Sequence, residues 1–171
     1  MRFEKHLPVD IPGVLRGLGY TKQSREPDTV TAGLAAKAAG LVEVAAEPRW
    51  VYRGFLLGNA CSLTGTTLQL EGADIARHLE GCQGCYLLAL TLGAALEKAL
   101  SAAQTEDMAL AVVMDAAASR LTEQYAVLAQ EAISAAAAGD GLYTTGRFSP
   151  GYGDMPLSQQ GPLLDVLNAQ K

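Results

Sequence analysis

Three sets of residues in this chain are of types that could bind or react. The first is Arg147, within GRFSPGYGDMPLSQQGPLL (146–164). A guanidinium beside a backbone opened by Gly146, Gly151 and Gly153 can make a paired hydrogen bond to a carboxylate or phosphate, while nearby amides meet the rest of a flat ligand. Pro150 biases Ser149 toward an extended conformation, Gly151 permits a turn or close approach, and Tyr152 would stand at the lip of a groove. The same composition also suits a solvated surface loop. The second is Glu123 in SRLTEQYA, on the helical line through Ala116 and Ser119. Small residues there leave room for a ligand or a neighbouring backbone, and the carboxylate could hold an ammonium group; the alternative is a surface pair with Arg120. The third is Cys82-Gln-Gly-Cys85, with His78 four positions earlier. Such a pair can form a disulfide or supply two soft ligands. A structural zinc wants four ligands, so Cys61 would have to join; buried or incidental thiols at a helix end are the alternative.

Other chemistries have less to work with. The chain contains no Walker loop, no G-x-G-x-x-G, no H-E-x-x-H and no G-x-S-x-G. Its two histidines, His6 and His78, have no credible nucleophile nearby in sequence, which argues against a Ser-His or Cys-His hydrolase. A net charge of −5 without runs of like charge argues against a nucleic-acid footprint or a polybasic membrane patch, so any anion must be held locally. Without a secretory-type apolar segment or an uncharged apolar run of about 18 residues, a cytoplasmic location and reduced thiols are the expectation.

The elements that must position these residues are mixed. With 171 residues, 49% apolar and 18% charged, the chain is expected to form one folded domain. Asp10 is placed to cap a short helix over 10–18 that Gly19 ends. Asp28 is placed to cap a long helix to about Ala46, with an apolar stripe through Val30, Leu34, Leu41 and Val44. RWVYRGFLL (49–57) alternates like a strand, and GTTLQLEG (65–72) reads as a second strand hairpin-paired to it across Gly58-Asn59. A short helix follows Asp74 and closes at Gly81. CYLLALTLG (85–93) reads as a strand buried on both faces, although its periodicity also allows a helix. Two helices then run to Ala138 around a hinge at Ser101–Asp107, the longer over about 106–138, ending at Gly139-Asp140-Gly141. LYTTGRF reads as a further strand, and Ser158 would cap a last helix. The predicted class is α+β, a twisted antiparallel sheet packed with helices.

RFSPGYGDMPLSQQ (147–160) matches the pattern R-x-S-P-G-Y-G-D-x-P-L, and in this the chain resembles proteins related to the activation domain of cobalamin-dependent methionine synthase, which binds S-adenosylmethionine. VLRGLGY (14–20) resembles that family's N-terminal LGY segment. HLEGCQGCYLLALTLG (78–93) is similar to its helix, glycine-cysteine turn and T-L-G run, and SRLTEQYA (119–126) to the helix ahead of the motif. Nearly the whole chain is covered.

The resemblance implies that Arg147 binds the methionine carboxylate, that backbone around Ser149 and Gly151 meets the adenine, that Tyr152 lines the groove and that Glu123 faces the amino group. Asp10 answers only loosely to the family's early acidic contact. A zwitterionic amino-acid end needs one cation and one anion, and an arginine and a glutamate supply them. The implied role is support of the reductive methylation of cob(II)alamin. One electron from a flavodoxin-like or ferredoxin donor lets the methyl group of S-adenosylmethionine be trapped as methylcobalamin, the cobalamin being carried by a separate corrinoid-dependent methyltransferase. With no homocysteine, folate or cobalamin module in it, the chain is expected to be an activation component and not a complete enzyme. The family's L-T-E-S segment and P-x-K-S-V strand have no counterpart here, so a domain without that strand is expected. An adaptor that binds a corrinoid protein without S-adenosylmethionine, or a thiol or metal module at Cys82 and Cys85, are the alternatives.

Overall fold

The computed structural model describes residues 1–21 and 26–169. Its elements are, in order, α1 (Ile11–Gly17), α2 (Thr29–Ala45), β1 (Arg49–Leu56), α3 (Ala73–His78), β2 (Gly84–Thr91), α4 (Ala94–Glu106), α5 (Met108–Gly139) and α6 (Gln160–Val166). The fold is mixed α+β, with a two-stranded antiparallel sheet of β1 and β2 and one long helix. Two compact units divide the chain: Met1–Trp50 with Leu90–Gln130, and Val51–Ala89 with Glu131–Lys171.

In the first unit the helix starts follow from their caps. The Asp10 carboxylate accepts from the Gly13 N–H (3.1 Å) and the Asp28 carboxylate from the Thr31 N–H (2.7 Å), each satisfying a donor that a helix start leaves unpaired. The hinge between the last long helices is one residue, Asp107, whose carboxylate accepts from Leu110 N–H at the start of α5. Of the expected stripe on α2 only Leu34 packs against the core. Val30, Leu41 and Val44 are exposed, while Ala35, Ala38, Ala39 and Val42 are buried. α2 meets both α1 and α4. A face of methyl groups lets helix backbones approach closely, and the larger residues are left on the water side.

The second unit has its own core around Leu63, Leu68, Leu70, Ile75, Leu87, Met155 and Leu167. Here fewer strands form than expected. Residues 65–72 contribute only an isolated bridge, Ser62 to Gln69, and a turn at Asn59–Cys61 stands where the hairpin was expected. Leu68 and Leu70 are buried, so the apolar alternation is real, but it is used to pack a loop. LYTTGRF forms no strand either: Leu142 and Tyr143 are both exposed, leaving no buried face to set a register. β2 is a strand, as the sequence allowed, but is mostly half-buried, with Leu87 alone buried. Ser158 caps nothing; it lies in a turn at Leu157–Gln159, directly before α6.

Candidate functional site

The stretch from Gly146 to Leu157 lies wholly in the second unit and is fastened there by side chains in place of a sheet. At its start the Gly146 carbonyl, an acceptor only, accepts a hydrogen bond from His78 Nε2 (2.9 Å), which requires Nε2 to carry a hydrogen. The Phe148 ring lies 5.4 Å from His78 and 6.3 Å, edge-on, from Tyr152, and is partly buried against the second core. A tight turn follows. Tyr152 N–H donates to the Ser149 carbonyl (3.0 Å), Gly151 N–H to the Met155 carbonyl (2.9 Å) and Met155 N–H to the Tyr152 carbonyl (3.1 Å). Gly151 has φ +91°, a conformation that L side chains adopt only with strain.

Asp154 fastens the far side. Its Oδ2 accepts from Ala73 N–H (2.7 Å) and its Oδ1 from Asp74 N–H (3.0 Å), the first donors of α3. These two backbone bonds, with a smaller contribution from the Arg77 charge, hold the Asp154 carboxyl below its usual range. The approach requires Gly72 at φ +128°, where a Cβ would come 2.6 Å from Asp154 Oδ1 and 3.2 Å from the Met155 backbone N. Further on, Gln159, 5% exposed, accepts from Glu71 N–H (3.1 Å) through Oε1 and donates to the Gln69 carbonyl (2.9 Å) through Nε2. Its amide thus adds main-chain pairing to 69–71 beyond the bridge at Gln69 and the Leu70 N–H bond to the Cys61 carbonyl.

Arg147, Ser149, Gly151 and Tyr152 are all exposed on this fastened ribbon, Tyr152 at 62%. Glu123 belongs to the first unit. There it is exposed on α5 and lines a shallow depression of about 390 Å³ with Leu7, Arg120 and Gln124. Arg120 reaches past its own helix to Asp10, with Nη2 at 2.6 Å and Nε at 3.0 Å from Oδ2. The Asp10 carboxyl is held below its usual range by the Gly13 N–H first, and then by Arg120 and Arg16, against the opposing effect of burial. Asp10, the loose match to an early ligand contact, therefore spends its carboxylate on a helix cap and an ion pair.

All three cysteines are half-buried and none is in a disulfide. The Cys85 thiol is pushed up to about 11, first by burial and then by Cys61 and Cys82, so it holds its proton at neutral pH. Among the described residues no group of three or more His, Cys, Asp or Glu side chains is placed to hold a metal ion, and no helix is long and apolar enough to cross a membrane. Sequence reasoning placed His78 only with the cysteine pair, and it missed Asp154 and Gln159. Asp154, in a Gly-Asp-x-Pro turn, had a readable capping signal, whereas Gln159 had none. No protein-family model matches the chain, and no curated protein matches it significantly.

Proposed function

We propose that the ribbon from Arg147 to Tyr152 is a binding edge for S-adenosylmethionine, and that the chain presents this ligand to a separate corrinoid protein undergoing reductive methylation. The observation that carries the proposal is the fastening of the ribbon at both ends. His78 and Asp154 hold it in one shape while Arg147, Ser149 and Tyr152 stay exposed. An edge ordered before the ligand arrives loses less conformational entropy on binding than a mobile loop does.

The residues suit such a ligand in kind. The Arg147 guanidinium would take the amino-acid carboxylate through two parallel hydrogen bonds. At Ser149 and Gly151 the turn already engages the Gly151 N–H and one lone pair of the Ser149 carbonyl. The Ser149 N–H and the Gly151 carbonyl offer the donor and the acceptor that an adenine edge needs. Tyr152 would cover the purine. When bound, S-adenosylmethionine supplies the methyl group, and this chain's part is to hold and orient it.

Calorimetric titration with S-adenosylmethionine tests the reading. Saturable binding at one site is expected, weakened about tenfold or more in Arg147→Ala, the loss of a charge-assisted bond being worth about 1.5–3 kcal/mol. Absence of saturable binding by the wild-type protein overturns the function, and equal binding by Arg147→Ala overturns the site.

A further inference from the structure

We infer that the first unit carries a second, unrelated site, an anion pocket for a compact, multiply charged phosphate group, built from the N-terminal segment and the start of β1. A depression of about 290 Å³ is lined there by Arg2, Lys5, His6 and Arg49, with Phe3 and Glu47 among its other walls. Its volume is at the small end of ligand sites, which suits a chain of two or three phosphates better than an extended molecule. In a protein of net charge −5, this is a local concentration of the opposite sign. Glu47 is the one carboxylate in the lining. It pairs with Arg49 at 2.9 Å, but both partners are more than half exposed, so the pair is weak. Arg2 and Lys5 remain in excess.

Main-chain geometry, and not attraction, gathers these cations. Arg2 and Arg49 face each other across an antiparallel bridge, and Trp50 N–H donates to the Met1 carbonyl (3.0 Å) beside it. The Tyr125 hydroxyl accepts from Leu7 N–H (3.1 Å) and donates to the Lys5 carbonyl (3.4 Å). Phe3 seats the segment, its ring stacked on Trp50 at 5.4 Å and tilted against Tyr125 at 4.6 Å. Like charges placed directly opposite each other on paired strands repel, and the backbone holds them there regardless. An anion between them would relieve that repulsion and meet side chains whose bases are already fixed.

Titration of the full chain with inorganic triphosphate at low ionic strength tests this. One saturable site is expected, with affinity lowered at least about tenfold in the double variant Arg2→Gln, Arg49→Gln, and changed less than about twofold in Lys37→Gln on exposed α2 surface. Should the double variant lose its cooperative melting, Lys5→Gln decides, since Lys5 serves the fold through its carbonyl; its affinity is expected to fall about threefold or more. ATP binding tighter than triphosphate would support the pocket and mark a nucleotide tail as the source, and equal binding would support it and mark a free polyphosphate. No saturable site, sulfate binding as tightly as triphosphate, or unchanged affinity in folded variants would overturn the inference.

Discussion

The two units solve the problem of burial in different ways. In the first, helices come close because their facing residues are small, and Ala35, Ala38 and Ala117 lose all exposure. In the second, regular elements are short, and loops are held by polar side chains that stand in for missing backbone partners: Asp154 for a helix cap, Gln159 for a strand. Close packing tolerates little change of volume, whereas a side-chain brace tolerates change except at the bracing atom. The second arrangement also leaves its loops exposed while holding their shape, which suits a binding edge.

If that contrast holds, the largest effect should come from adding volume to the alanine face. Ala38→Leu is expected to cost about 3 kcal/mol, read as a lowered denaturation midpoint, whereas Val44→Ala, on the exposed side of the same helix, should stay within about 0.5 kcal/mol. Equal losses from both would break the comparison. Gly151→Ala comes next. Its added Cβ would meet only Leu157, at 3.6 Å, so the expected cost of about 1–2 kcal/mol comes from the backbone conformation alone. A neutral outcome would mean that the turn relaxes and that the ribbon is not rigid.

Asp154→Asn should mainly loosen the ribbon locally, with faster amide exchange at Ala73 and Asp74 than in the wild-type protein. The sign of its pH dependence follows from its lowered pKa: the stabilisation is present above the ordinary carboxylate value of 3.8 and is lost as pH falls through the folded-state value. The acid limb of a stability profile should therefore be shallower in the variant. The smallest effect is alkaline. Cys85 is raised from 9.0 to about 11, so its contribution is full below pH 9 and disappears as pH climbs to about 11. Cys85→Ala should flatten that decline, and an unchanged alkaline limb would remove Cys85 from the second core's account.

What the sequence makes legible is local. Asp10, Asp28 and the Gly139-Asp140-Gly141 stop mark helix ends by chemistry confined to a few neighbouring residues, and the structure keeps all of them. β1 and β2 likewise match their apolar runs. The face of α2 was not legible, because hydrophobicity ranks Val30 and Val44 above alanine, while close approach of two backbones ranks them below it. Residues 65–72 misled for a related reason: alternating burial at Leu68 and Leu70 is a property of packing, and only a partner strand turns it into a sheet. At the candidate site, Arg147 and Tyr152 stood out by type. His78 stood out only beside the cysteines and Gln159 not at all, since they act across 68 and 90 residues, on Gly146 and Gln69 respectively. The basic depression was hidden for the same reason: Arg2 and Arg49 are distant in sequence and adjacent only in the bridge.

The chain contains two histidines, and each sits at one candidate site, His78 bonded to the ribbon and His6 in the lining of the basic depression. Histidine-selective ¹⁵N labelling would therefore yield a spectrum with one reporter per site and nothing else to assign. In a single sample, S-adenosylmethionine and triphosphate could each be followed to its own resonance, and the His78 Nε2–H, held by the Gly146 carbonyl, would register any release of the ribbon.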